Sequence, residues 1–284
     1  MSVQPFKDAG WNVVTGPSAL SGDFKRFWLL TQRIALMEFK LRFFGSVLGY
    51  VWQLMRPLML FGVLLIVFTT AFPVGDVPHY AVMLLLGIVL FTFMGEAIGG
   101  SVASVVDKEN LVRKIHFPRL VIPLSVVLTA VFTLTLNLLI VLLFGAIRGV
   151  EPHWGLLQVP IGVGVLVTLA LGFAMLVSAL YVRFRDMRPI TDVFLQVSFY
   201  ASPILYPLEK LPGETAQKLM ILLNPFACVL QQLRHAAIDP TEPSSATIAG
   251  GFVWLLIPAG IVVAVFLIGF TVFNRAAPRI AEDL

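Results

Sequence analysis

The chain has 284 residues, of which 58% are hydrophobic and 13% are charged, and its mean hydropathy is +0.91. A water-soluble domain of this length cannot bury so much apolar surface, and a net charge of +4 does not indicate a nucleic-acid partner. The single cysteine, Cys228, excludes a disulfide within the chain and a cysteine-based metal site. Several apolar runs reach the ~20 residues that a helix needs to cross a bilayer, so the sequence predicts an all-α polytopic membrane protein.

The first segments of the chain are expected to stay on the cytoplasmic side. Residues 1–23 are polar and rich in turn-forming residues, which is typical of a cytoplasmic tail, and they lack the apolar core of a cleavable signal peptide. Residues 24–44 predict an amphipathic interface helix in the plane of the membrane, because basic residues lie on one face and apolar residues on another. The basic face carries Arg26, Arg33 and Lys40, and the apolar face carries Phe27, Leu30, Ile34, Met37 and Leu41. The helix is either an anchor alone or an anchor that also touches a cytoplasmic partner.

Residues 45–275 are predicted to form a transmembrane domain of six spans. A short cytoplasmic tail, residues 276–284, follows it. Two adjacent apolar pieces, 193–208 in span 5 and 219–233 after it, are shorter than ~20 residues and contain proline, the second at Asn224–Pro225. They predict a span followed by a re-entrant or surface hairpin on the outer side, at residues 208–233. In span 2, Gly95 and Gly99 form a G-x-x-x-G pair, which favours close helix packing. The predicted spans are residues 45–72, 80–106, 120–147, 155–182, 189–207 and 252–274.

The distribution of basic residues predicts the orientation. With six spans and both termini in the cytoplasm, 16 of the 20 basic residues lie inside, as the positive-inside rule requires. The outside then holds Arg148, Lys210, Lys218 and Arg234. A seventh crossing by residues 219–233 would place the basic tail outside, which argues for the hairpin.

The most charged segment lies between spans 2 and 3. Residues 107–119 read DKENLVRKIHFPR and separate two long charge-free runs. A short charged helix in this position, residues 107–118, is what a soluble motor would need in order to push on a membrane protein. Its docking residues are predicted to be Asp107, Lys108, Glu109, Asn110, Leu111, Arg113, Lys114, His116, Phe117 and Pro118.

The sequence contains none of the motifs that carry catalytic chemistry. It has no phosphate-binding loop, no zinc-protease motif and no nucleophile elbow, and its four histidines are scattered. The acidic residues of the outer loops show no spacing that singles out a catalytic pair. We therefore expect no enzymatic activity and no cofactor or metal in this chain, so transport needs an energised partner or is passive.

A few polar and aromatic residues are candidates for a substrate path. Flat aromatic faces suit sugar rings, although membrane interfaces also select aromatic residues. Arg56 has apolar neighbours on both sides, so it either snorkels to lipid headgroups or meets a substrate phosphate. The aromatic candidates are Tyr50 and Trp52 in span 1 and Phe194, Phe199, Tyr200 and Tyr206 around span 5.

Six sequence features in this order resemble the permeases of type-2 ABC transporters, in the polysaccharide-export branch that includes O-antigen, capsule, teichoic-acid and galactan exporters. The resemblance covers roughly residues 24–275. One departure from the family pattern is Arg56, where relatives often carry Gln or Asn before the proline. The features are the basic interface helix, the G-x-x-x-G-x-x-W…P run at 45–57, NLVRKIHFPR at 110–119, VRFRDMR at 182–188, SPILYP at 202–207 and LLNPF at 222–226.

The resemblance implies a bacterial cytoplasmic-membrane exporter built from two copies of this chain and two copies of a separate nucleotide-binding subunit. That subunit would bind ATP and Mg²⁺ and dock on residues 107–118, with Arg183, Arg185 and Arg188 as a lesser contact. The interface helix would border the lateral substrate entrance, spans 1 and 5 would line the channel, and residues 208–233 would form its outer gate. The substrate would be a polysaccharide on a pyrophosphate-linked polyprenol lipid.

Other functions remain open at this stage. An ABC exporter of a drug or a small lipid would use the same aromatic lining. An ion-coupled carrier would use Glu96 as its coupling acid, although the inverted repeats that favour a carrier are not evident.

Overall fold

The computed structural model describes residues 24–43, 47–71, 77–112 and 117–278, and these residues form helices joined by turns, with no strand. This confirms the predicted all-α class. The predicted tails fall outside the described residues, except for 276–278. The helices are α1 Phe24–Phe43, α2 Val47–Ile66, α3 Tyr80–Val102, α4 Ser104–Asp107, α5 Glu109–Val112, α6 Val121–Ile147, α7 Val159–Arg183, α8 Met187–Ala201, α9 Glu214–Leu223, α10 Pro225–Ala237, α11 Ser245–Ala249 and α12 Leu256–Ala276.

Four helical segments in the described part of the chain are long and apolar enough to cross a membrane. They are Tyr80–Val102, Val121–Ile147, Trp154–Arg183 and Phe252–Ala276, the last two of which include a 3₁₀ turn before the α-helix. They coincide with predicted spans 2, 3, 4 and 6. At predicted span 1 the apolar helix is shorter, Leu54–Thr70, and at predicted span 5 the helix α8 has 15 residues.

The centre of the bundle is α3. It is apolar around its whole circumference and buried along most of its length, which is typical of a helix surrounded by others. Helices α2, α6, α7, α8 and α10 all pack against it. In contrast, α12 packs mainly along α7 and exposes most of its apolar side chains, so its outer surface is suited to lipid.

Helices α7 and α12 approach each other closely at Gly172 and Gly269. A Cβ atom added to Gly172 would lie 2.8 Å from the backbone nitrogen of Phe266, and one added to Gly269 would overlap the Gly172 carbonyl. Within one chain, the described residues show no close packing at Gly95 and Gly99: none of their atoms lies within 4 Å of a Cβ added at Gly95, and a leucine methyl group lies 3.7 Å from one added at Gly99. Small residues permit close contact without requiring it.

The region of the predicted hairpin contains two short helices, α9 and α10, joined at Asn224. The residue before a proline is disfavoured in the helical conformation, and Asn224 is extended, with φ −113° and ψ 97°. Its side chain then caps α10 by accepting a hydrogen bond from the Ala227 amide at 3.1 Å. The Asn224–Pro225 sequence thus ends one helix and begins the next.

Candidate functional site

At the predicted cytoplasmic end, the amphipathic helix α1 packs along α6. Its buried ridge is Phe27, Thr31 and Ala35, and the Thr129 hydroxyl donates a hydrogen bond to the Ala35 carbonyl at 3.3 Å. Of the predicted apolar face, Phe27 is buried, Leu30 and Ile34 are half-buried, and Met37 and Leu41 are exposed. Small side chains at 31 and 35 allow the closer approach, and the larger apolar residues are left to face the membrane.

The basic residues of α1 do not join this contact. Arg26, Arg33 and Lys40 are all exposed, as expected for side chains that meet anionic headgroups or a soluble partner. The outer surface of α1 also presents Phe24 and Trp28.

The charged segment after α3 is not one helix from 107 to 118. It contains α4 and α5 with an interruption at Lys108, where φ is −109° and ψ is 28°. Lys108 instead forms an ion pair with Glu38 of α1. Phe117 and Pro118 lie outside any helix, in keeping with the cost of a helical residue before proline. The prediction of a single helix is thus wrong.

The two ends of the charged segment differ in burial. Asp107 and Asn110 are exposed, Lys108, Glu109, Leu111 and Phe117 are half-buried, and Pro118 is buried. Arg113, Lys114 and His116 fall outside the described residues. The exposed side chains are available to a partner, while Lys108 is held against α1.

The second basic segment lies at the same end of the bundle. Here α7 ends at Arg183, and Phe184 is extended, with φ −123° and ψ 98°. Arg183, Arg185 and Arg188 are exposed, and the Arg185 guanidinium lies 5.1 Å from the centre of the Tyr181 ring. Because α4 packs against α7, both charged segments occupy one face of the protein.

Apart from Tyr206, the predicted channel residues lie on two helices that share one neighbour. Trp52 and Arg56 are exposed on α2, and the side chain of Tyr50 falls outside the described residues. Helix α2 packs against α1 and α3, whereas α8 packs against α3 and α7. The two helices therefore both lie beside α3.

The aromatic residues of α8 fall into two groups. Phe194 lies in an apolar groove of about 370 Å³ with Phe91, Phe173 and Phe226. Phe199 packs edge-on against Phe91 at 5.2 Å and against Tyr200 at 5.3 Å between ring centres, and Tyr200 is exposed. Tyr206 is half-buried beyond the end of α8.

A buried arginine at the predicted outer end was missed as a functional residue by sequence reasoning. Arg234 of α10 is 2% exposed, and its Nη2 donates a hydrogen bond to the Ile204 carbonyl at 3.2 Å. Burial lowers the pKa of Arg234 to about 10, while the nearby charge of Glu242 opposes that change. The pKa of Glu209 is raised by burial and then by the charge of Glu242. A signal existed, since Phe226, Leu230 and Arg234 share one helical face.

Three elements converge on the loop that follows α8. Besides the Arg234 contact, Tyr80 of α3 donates a hydrogen bond from its hydroxyl to the Leu205 carbonyl at 2.7 Å. Asn224 donates from its side chain to the Ser202 hydroxyl at 2.9 Å. The loop and the helix pair α9–α10 are therefore fixed to each other and to the start of α3.

Replacing Arg234 with methionine is expected to loosen this outer region. Methionine cannot donate to the Ile204 carbonyl, and losing a hydrogen bond from a charged group costs about 1.5–3 kcal/mol. We expect the apparent Tm in detergent to fall by roughly 5–10 °C. The matched control is Lys210→Met, which removes an exposed cation near the same carboxylates. Equal melting temperatures for the two variants would contradict a structural role for Arg234.

Most of the chain is similar to known proteins of one kind. Residues 26–238 match the family described as ABC-2 type transporter. A protein of Myxococcus xanthus named O-antigen export system permease protein RfbA is 27% identical over 247 residues, which cover 87% of this chain and 92% of that protein. A protein of the same name from Klebsiella pneumoniae is 28% identical over 253 residues, with the same coverage.

Proposed function

This chain belongs to the ABC-2 type transporter family, and from that we propose that it is the membrane-spanning permease subunit of an ATP-driven exporter of a lipid-linked polysaccharide. The observation that supports this proposal most strongly is the similarity to O-antigen export permeases across 92% of the length of those proteins. Such a subunit is not an enzyme, and ATP and Mg²⁺ belong to a separate ATPase partner.

The proposed topology has six spans, with both termini in the cytoplasm of a bacterium. At ~1.5 Å per residue, the 15 residues of α8 reach only about 22 Å, less than the ~30 Å hydrocarbon core. The loop after α8 supplies the remaining length, since residues 202–205 are buried. Non-helical backbone at membrane depth is tolerated where protein covers it. The helix pair α9–α10 then forms the outer hairpin.

The face that bears both charged segments is proposed as the docking surface for the ATPase subunit. Asp107 and Asn110 are exposed there, as are the three arginines at and after the end of α7, as a soluble partner requires. The Glu38–Lys108 ion pair joins this surface to α1, so a push on α4 and α5 is transmitted to the interface helix. ATP binding would bias the channel between closed and open states through this connection.

The substrate path is proposed to run between two copies of the chain. In one copy, Trp52 and Arg56 of α2 and Tyr200 of α8 are exposed, on two helices that both pack against α3. A second copy placed against these helices would close a channel around them. Arg56 near the cytoplasmic end is suited to a pyrophosphate group on the lipid carrier.

Isolation of this chain in mild detergent, from cells that express it at native level, tests the proposal. We expect a nucleotide-binding subunit with a phosphate-binding loop to co-purify at one copy per permease. ATP hydrolysis should require that subunit. Mass spectrometry of the purified material identifies it. Recovery of the chain as a stable oligomer without an ATPase would contradict the exporter function.

A further inference from the structure

Helix α8 has two exposed flanks of opposite character. Residues four apart lie ~40° apart around a helix, and Arg188, Asp192, Gln196 and Tyr200 follow this spacing and are all exposed. On one side the buried ridge that contains Thr191 lies between the flanks, and on the other side the exposed Val193 joins them. The other flank is apolar and carries Ile190, Phe194 and Val197.

The polar flank cannot face lipid. A carboxylate and an amide at membrane depth are costly unless they meet water, protein or a polar ligand. Asp192 lies ~6 Å and Gln196 ~12 Å beyond Arg188 along the helix axis. The apolar flank instead continues into the phenylalanine groove, where Phe194 packs against Phe173 at 5.4 Å between ring centres. The polar flank of α8 is therefore suited to an aqueous environment, and the other flank is suited to an apolar one.

The family resemblance implies that this helix lines the channel, and we propose that Asp192 on its polar flank makes the conduit selective for uncharged polysaccharides. This inference rests on the proposed function, because it names the class of polymer that the exporter carries. Carboxylate, amide and phenol groups all form hydrogen bonds with sugar hydroxyls, and Tyr200 adds an aromatic face. A hydrated, polyhydroxylated chain is therefore the occupant that suits the flank.

The charged residues of α2 and α8 determine the charge selectivity of the proposed substrate path. Helix α8 carries no basic residue after Arg188, and α2 carries none after Arg56. Both arginines lie near the predicted cytoplasmic mouth, where they could meet the phosphate groups of the lipid carrier. Deeper along α8, Asp192 would repel every phosphate or uronate of an acidic polymer, and in a homodimer each copy contributes one such carboxylate. An uncharged repeat meets no such repulsion.

Cysteine labelling tests the flank in cytoplasmic-side-out membrane vesicles that contain the whole transporter. The background is Cys228→Ser, which removes the one natural thiol. The probes are the cationic trimethylammonium-ethyl and the anionic sulfonatoethyl methanethiosulfonates. We expect Gln196→Cys to react with the cationic probe about ten-fold faster than Val197→Cys, which lies on the apolar flank. Adding Asp192→Asn should shift the cation-to-anion rate ratio about five-fold toward the anionic probe.

Each outcome decides one part of the proposal. Equal rates at positions 196 and 197 would show that the polar flank is not water-lined. An unchanged ratio in the Asp192→Asn variant would remove the charge selectivity. Neither measurement depends on ATP or on cargo, so a failure here is distinct from a failure to co-purify an ATPase.

The composition of the exported polymer provides a second measurement. The surface polysaccharide that disappears when this chain is deleted should lack uronic acids and phosphodiesters in its repeat. An acidic repeat would overturn the selectivity for uncharged polymers, even if the labelling results agreed.

Discussion

Replacing Gly269 with valine should prevent α12 from packing against α7 and should abolish accumulation of the folded protein in the membrane. Any side chain at this position overlaps the backbone of α7 at Gly172. Overpacking of a flexible core costs about 1–3 kcal/mol, and contact with rigid backbone costs more. We expect the monodisperse fraction after detergent extraction to fall at least about ten-fold.

The matched control for this variant is Gly260→Val. Gly260 also lies in α12, but no atom of the described residues lies within 4 Å of a Cβ at that position. The two variants share the same change in helix propensity, so only the contact with α7 differs. Similar yields of both would show that the α7–α12 crossing tolerates a larger spacing.

Reversing the charges of Arg113 and Lys114 to glutamate should abolish export while leaving the permease in the membrane. These residues belong to the charged segment proposed to dock the ATPase, and reversal replaces attraction by repulsion. A loss of 2 kcal/mol in docking corresponds to about a 30-fold weaker association. The measurement is the amount of ATPase subunit that co-purifies, together with polymer at the cell surface.

A control with the same total charge change is Arg148→Glu with Lys210→Glu. Both residues are exposed and lie on the predicted outer side. The permease with Arg113 and Lys114 reversed should keep its orientation in the membrane, because 14 of the 16 basic residues predicted to be cytoplasmic remain. Normal export with Arg113 and Lys114 reversed would assign the docking role elsewhere.

Local sequence patterns predicted the class of the fold and several of its segments. The four longest apolar runs became the four candidate spans, because crossing a membrane requires length and hydrophobicity that a short window of sequence displays. Asn224–Pro225 likewise predicted a break that the structure contains. These features depend on a residue and its immediate neighbours.

Contacts between distant segments could not be predicted in the same way. The glycine crossing joins positions 172 and 269, and the spacing of Gly95 and Gly99 suggested a different one. Lys108, where the predicted docking helix is interrupted, pairs with Glu38 of another helix. Arg234 was predicted only to lie on the outer side, whereas the fold buries it beside Ile204. The four-residue spacing on α8 was visible in the sequence, but which face of the helix is buried depends on α3 and α7.

Three hydrogen bonds hold the loop after α8 in place, so α8 can pivot about its outer end. A helix held at one end moves as a lever, and its displacement grows with distance from the fixed point. Over the ~22 Å of α8, a tilt of about 5° moves the opposite end by ~2 Å. The opposite end begins at Met187, directly after the basic segment that contains Arg183 and Arg185. A small displacement of the cytoplasmic surface would therefore shift the cytoplasmic end of α8 while its outer end stays in place.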